Sequence, residues 1–156
     1  MDALCIIPCG KRKIWDKHPN LGAIMAENAY IGTFHNLCMR YAKRHFDCWV
    51  TLSAKHGFLL PTDMVPGNYD LTFHLNHRSV VSVDTLKEQL KRKGLENYQH
   101  IVVLTGKKYQ PIINQAFSYA NKIEFPLLGT RGIGGEMQKL LKDSLDNKQI
   151  LHTEME

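Results

Sequence analysis

The sequence predicts a single-domain α/β fold: a three-layer sandwich around a mostly parallel sheet of about four to five strands. Three observations predict it. Short apolar runs at 3–8, 47–53, 100–105 and 123–125 alternate with longer segments of helical period. The runs carry no regular polar alternation, as expected of strands covered by helices on both faces. At 156 residues, 44% hydrophobic and 22% charged, the chain has the length for one sizeable core and an ordinary globular composition.

The elements follow in order. Ala3 to Pro8 is an apolar run closed by Pro and Gly, a buried first strand. Residues 9–20 are a basic loop. Ala26 to Gly32 reads as a turn or short helix that Gly32 closes. Thr33 to Phe46 is a helix with Phe34, Leu37, Cys38 and Tyr41 on its apolar face and Thr33 as its N-cap. Asp47 to Ser53 is the second strand. Residues 54–78 contain the breakers Pro61, Pro66 and Gly67 and read as a long connection without regular structure, which is usually a functional feature. Ser79 to Lys93 is an amphipathic helix closed by Gly94, with a basic end that complements its dipole. His100 to Thr105 is the third strand. A helix runs from about Tyr109 to Ala120 with Pro111 in its first turn, and Ile123 to Phe125 is a fourth strand. A glycine-rich loop, Gly129 to Gly135, then opens a last helix over Glu136 to Leu145. The domain spans 1–147, and 148–156 is a polar tail.

The net charge of +5 and the pI near 9.0 favour anionic partners such as nucleic acid or nucleotides, although many small basic proteins bind neither. Cys5, Cys9, Cys38 and Cys48 form no C-x-x-C pair and read as reduced thiols. With no signal-peptide pattern and no apolar run of membrane-spanning length, the cytoplasm is the expected address and no membrane partner is expected.

The chemistry concentrates in loops that follow strands, where open α/β sheets bind ligands. After the first strand come Cys9, Lys11, Arg12, Lys13 and Trp15. Lysine there binds phosphate, or acts as a nucleophile when burial and neighbouring cations lower its pKa; the alternative is a plainly solvated loop. Cys9 gains thiolate character beside cations, or simply packs at the strand end. After the second strand come Ser53, Lys55 and His56, with Gly57 allowing a tight turn. His56 is the candidate general acid or base, because imidazole titrates near neutrality. Asp63, Tyr69 and Asp70 lie beyond, to orient His56 or Lys13, to bond a base edge, or to form Asx-turns. After the third strand come Gly106, Lys107, Lys108 and Tyr109, suited to gripping phosphate and stacking a base. The loop containing Arg131, Gly132 and Gly134 matches neither a dinucleotide fingerprint nor a Walker A; it reads as an anion-binding helix start or a tight turn. His74 and His77 have metal spacing if helical but lack companion ligands, so neither a metal nor another cofactor is expected.

The string Leu52-Ser-Ala-Lys-His-Gly-Phe-Leu-Leu-Pro61, followed by Asn68-Tyr-Asp-Leu-Thr72, resembles a bacterial and phage domain family of uncharacterised function similar to the peroxide-stress, DNA-binding YaaA-like proteins. The resemblance extends to Pro8-Cys9, Ala29-Tyr30 with Gly32 and Phe34, Gly106 with Tyr109, and Gly132-Ile-Gly134. The first loop also resembles the Pro-Cys-Ser-x-x-Lys-Pro-Tyr motif of archaeosine synthase, which modifies a deazaguanine base in transfer RNA through a catalytic lysine. That lysine falls on Lys13; Gly10 stands in place of Ser, and Ile14-Trp15 in place of Pro-Tyr. The resemblance implies a base-handling fold, akin to nucleobase glycosylases.

The leading expectation is therefore an enzyme that removes or modifies a nucleobase, free or within nucleic acid. Lys13 serves as nucleophile or phosphate clamp, and His56 as acid or base supported by Asp63 or Asp70. Trp15, Tyr69 and Tyr109 position the base, and Tyr30 is a further contact. The competing expectations are a non-catalytic DNA-binding protein of stress or phage conflict, marked by steep salt dependence, and a small-nucleotide sensor. Oligomeric state is open.

Overall fold

A computed structural model of the chain describes residues 3–71, 80–127 and 141–142. Its strands are β1 (Leu4–Pro8), β2 (Ile24–Met25), β3 (Cys48–Ser53), β4 (Gly57–Leu59), β5 (Met64–Val65), β6 (His100–Val103) and β7 (Lys122–Glu124). Its α-helices are α1 (Ala26–Ala29), α2 (Thr33–His45), α3 (Val83–Arg92) and α4 (Gln110–Ala116). Single 3-10 turns cover Ile14–Asp16 and Lys107–Tyr109.

The main sheet has the order β4-β3-β1-β6-β7. Four strands are parallel and β4 pairs antiparallel with β3 at one edge. β1 is central and fully buried, which accounts for its unbroken apolar sequence. Its side chains alternate between two cores. Leu4 and Ile6 pack with Leu86 and Leu90 of α3 and Ile113 and Ala116 of α4. Cys5 and Ile7 pack with Leu37, Cys38 and Tyr41 of α2. These two clusters are the two interfaces of the expected three-layer sandwich. Chain order leaves β1 toward β3 on one side and then passes to β6 on the other, so the order reverses beside β1. In open sheets that reversal opens a crevice at the carboxyl ends of the strands.

A third core sits over that end. Cys9, Trp15, Ala26, Ala29, Tyr30, Leu59 and Val65 form it, with Tyr69 packed against it. The antiparallel pair β2–β5 and helix α1 are its walls. The connection read as irregular over 54–78 therefore contains two short strands. Each is two or three residues long, too short for a periodicity to show.

Smaller departures have local causes. α2 begins at Thr33 with Gly32 as its N-cap, one residue earlier than expected; Leu37, Cys38 and Tyr41 of the expected apolar face are buried, Phe34 packs half-buried against the same core, and His35 is buried as well. α3 begins at Val83, because Ser82 accepts the Thr85 backbone N–H at 3.1 Å and caps it there. Gly94 follows α3 with φ 71°, the left-handed position that stops a helix. α4 ends at Ala116, shorter than expected. The expected helix from Glu136 and the glycine loop with Arg131, Gly132 and Gly134 lie outside the described residues, apart from 141–142.

Candidate functional site

The first loop leaves β1 at Pro8 and turns at Gly10 (φ 85°). Trp15 anchors its far end: the indole is 4% exposed and its N–H donates to the carbonyls of Leu21 and Gly22 at 3.1 and 3.0 Å. Asp16 Oδ2 accepts the Lys13 backbone N–H at 2.9 Å, and an isolated bridge pairs Lys13 with Tyr30. Together these contacts fold Lys13 inward. Its side chain is 3% exposed; Nζ donates to the Lys11 carbonyl at 3.0 Å and lies 4.4 Å from the centroid of the Tyr69 ring. Burial lowers the Lys13 pKa, and Lys11 lowers it further, while Cys9, Asp16 and Asp70 oppose the shift.

The second loop turns between β3 and β4. Ser53 Oγ accepts the backbone N–H groups of Lys55 and His56 at 3.2 and 3.0 Å. Both its lone pairs are thus engaged, and its hydrogen is left for Tyr69 Oη at 2.7 Å. Tyr69 Oη lies 2.5 Å from Tyr30 Oη, so three hydroxyls from three segments form one chain. Burial pushes the Tyr30 phenol up to about 12 and also raises that of Tyr69, so both stay protonated at neutral pH. Gln89 of α3 braces the turn: its amide donates to the His56 carbonyl at 2.9 Å and accepts the Phe58 N–H at 2.8 Å. Gly57 has φ 75°, and a Cβ there would come within 2.1 Å of Gln89 Oε1.

His56 meets Tyr69 edge-on, with ring centroids 5.0 Å apart. Burial and the neighbouring Lys55 lower its pKa, so the ring is neutral at pH 7; its Nε2 is shielded from solvent and has no hydrogen-bond partner among the described residues. Lys13 and His56 thus share Tyr69 as a common neighbour. Tyr69 also forms one wall of an open pocket of about 470 Å³ that is otherwise lined by Lys11, Arg12, Asp16, Asn68 and Asp70.

Cys9 lies at the hub of these groups, 8% exposed. Burial raises its pKa; Lys13 and the backbone N–H groups of Ala54, Gly10 and Cys9 itself pull the other way. A thiolate there would act on Lys13, Tyr30, Tyr69 and Tyr109, all close enough to feel its charge.

The candidate residues therefore divide. Lys13, His56, Ser53, Tyr69, Tyr30 and Cys9 are brought together. Lys11, Arg12 and Asp70 line the adjoining pocket, and Lys55 is exposed with Nζ 5.7 Å from the Tyr69 centroid. Tyr109 is buried beside Cys9, and Gly106 is buried at the end of β6. Asp63 goes elsewhere: it pairs with Lys93 at 2.5 Å and accepts the Leu60 N–H at 2.8 Å, closing the turn between β4 and β5 instead of supporting His56. Trp15 is a core anchor and not a pocket wall.

Sequence reasoning missed four residues. Asp16 and Asn68 bond each other at 3.1 Å and line the pocket. Gln89 is a buried polar residue on a helix that otherwise reads as amphipathic. His35, 1% exposed, places Nδ1 2.7 Å from the Pro8 carbonyl, its Nε2 has no partner among the described residues, and burial lowers its pKa to about 4. Only Asp16 left a signal, standing three residues after Lys13 as a turn-capping residue does.

Fold and site together define a small α/β protein with a charged pocket and a buried lysine at the carboxyl edge of a parallel sheet. The chain belongs to a family of unknown function, DUF6884, whose model matches residues 4–142. It is 49% identical over 140 residues to the uncharacterized protein YfjM of Bacillus subtilis (strain 168), a match spanning 90% of this chain and 93% of that protein. No solved structure gives a significant match. Among the described residues, no cluster of His, Cys, Asp and Glu could hold a metal ion, and no helix is long and apolar enough to cross a membrane.

Proposed function

We propose that this protein is a nucleobase- or nucleoside-processing enzyme, removing or modifying a base in a nucleotide or nucleic acid. The observation that carries the reading is Lys13: a lysine 3% exposed, in no carboxylate ion pair among the described residues, held against the aromatic ring that walls a polar pocket. A lysine kept only for solubility stays in water, because burying an unpaired ammonium is costly. Burial instead raises the fraction of free amine at neutral pH, the form that attacks carbon.

The remaining groups suit the same chemistry. Base removal needs an attacking lone pair and a proton for the departing base. Neutral His56, whose Nε2 has no hydrogen-bond partner among the described residues, takes a proton from the attacking group and returns it to the leaving one. Tyr69, held by Ser53 and Tyr30, presents an aromatic wall to a planar ligand. The likeness of the first loop to a catalytic-lysine motif, with Lys13 at the matching position, adds to the reading.

The test is turnover. Wild-type protein, Lys13→Met and His56→Asn are incubated with nucleosides, nucleotides and short oligonucleotides carrying standard and modified bases, and products are resolved by mass spectrometry. Release or mass change of a base by the wild type, lost in Lys13→Met with the fold retained, is the expected result. No product from any substrate, together with DNA binding that falls steeply with salt, overturns it in favour of a non-catalytic DNA-binding protein.

A further inference from the structure

Three of the six residues that line the pocket are already engaged. Asp16 accepts from the Lys13 backbone and from Asn68. Asn68 spends its amide on Asp16 and its carbonyl on the Tyr69 N–H at 2.9 Å. Tyr69 is tied to Ser53 and Tyr30. The side chains of Lys11, Arg12 and Asp70 make no hydrogen bond or ion pair among the described residues, and all three are exposed.

Opposite charges in one pocket ordinarily close on each other when geometry allows. Here Asp70 comes within 4 Å of neither Lys11 nor Arg12 and forms no salt bridge among the described residues, acting on the buried Lys13 only through its charge. The pocket therefore presents two separated demands: an anion for the cations and a hydrogen-bond donor for the carboxylate, with an aromatic wall beside both. A volume of about 470 Å³ lies within the range of single small-molecule sites.

We infer that this pocket takes a nucleoside monophosphate unit, with its phosphate on Lys11 and Arg12 and a base edge bearing N–H donors on Asp70. Arginine supplies a planar fork matched to phosphate and lysine a point charge. An ionised carboxylate is an acceptor only, so it favours bases that present amino or imino hydrogens and disfavours edges made of carbonyl oxygens. The inference rests on the base-processing reading and names the form and orientation of its substrate.

The test is calorimetric titration with a matched series: a free base, its nucleoside, its 5′-monophosphate and a short single-stranded oligonucleotide, against wild type, Lys11→Ala/Arg12→Ala and Asp70→Asn. Thermal unfolding confirms that the variants fold; all three positions are exposed. The monophosphate binds wild type at least about tenfold more tightly than the nucleoside, and the double variant erases that gap. Asp70→Asn keeps the phosphate gap and loses the preference for donor-edged bases. The oligonucleotide arm reports whether the phosphate belongs to a free nucleotide or a strand: equal affinity per site supports a strand substrate with the same orientation. Equal binding of nucleoside and monophosphate by wild type overturns the inference and leaves Lys13-dependent turnover standing. Absence of binding by the whole series, with no turnover, removes both.

Discussion

Two pockets of nearly equal size lie on different parts of the molecule. One, about 470 Å³, stands at the carboxyl edge of the sheet beside Tyr69. The other, about 480 Å³, is a groove lined by Lys87, Glu88, Leu90, Lys91 and Glu96 of α3 and its following turn, and by Ala116, Ser118 and Tyr119 at the end of α4. Both have charged rims. They differ in what lies behind the rim. The edge pocket is backed by a buried lysine, a shielded imidazole nitrogen and a chain of three hydroxyls. The groove is backed by the hydrophobic core under α3 and α4. Polar groups are costly to bury, so their concentration marks a place where burial has a use; an apolar-backed groove between two helices is what packing leaves anywhere. Volume does not tell the two apart.

Paired substitutions break or sharpen that contrast. The largest difference concerns lysines. On the proposed function, Lys13→Met removes about 10²- to 10⁴-fold of the rate in the turnover assay, whereas Lys91→Ala in the groove leaves it unchanged. Equal effects at the two positions would dissolve the distinction.

Glycines come next. Gly57→Ala places a Cβ in the left-handed region and against the Gln89 amide, and costs about 2–5 kcal/mol in urea unfolding. Gly94→Ala, at φ 71° with open space around it, costs about 1–2 kcal/mol. The excess at Gly57 measures how tightly Gln89 clamps the His56 turn.

His35 gives the edge region a dependence on acidity. The unfolded chain takes up this proton near pH 6.5 and the folded chain only near 4. Stability from the neutral, buried ring is complete above about pH 6.5 and is lost as pH falls toward 4, on the order of 3 kcal/mol in all. His35→Gln, which does not titrate, shows a shallower loss between those limits in denaturant unfolding at stepped pH.

The smallest pair concerns phenols. Tyr69→Phe leaves the hydroxyls of Ser53 and Tyr30 without their partner and costs about 1–3 kcal/mol of stability. Tyr119→Phe, 39% exposed in the groove, changes stability by less than about 0.5 kcal/mol.

Much of the frame was legible in the residues alone. β1, β3 and β6 are mainly apolar runs, α2 carries a helical period, and Gly94 stands where a helix must stop, so the alternation of strands and helices and a largely parallel sheet followed from local patterns; β7, Lys-Ile-Glu, was legible only through Ile123 and begins one residue before the expected strand. The loops that would carry chemistry were legible for the same reason, because a strand's carboxyl end faces the crevice. β4 and β5 were hidden, since segments of two and three residues have no period to read.

What the sequence could not decide was which charges meet. Lys11, Arg12 and Lys13 are three adjacent cations, yet only the turn pinned by Asp16 and Trp15 buries the third and leaves the first two at a pocket rim. Asp63 and Asp70 read as equivalent supports, yet Lys93, thirty residues away from Asp63 in the chain, pairs with Asp63, while Asp70 stands at the pocket and acts on Lys13 through its charge. Periodicity is a property of neighbours along the chain and survives without a fold. Ion pairing, burial and the pKa shifts they cause depend on distances of a few ångströms between remote segments, and packing alone sets those distances.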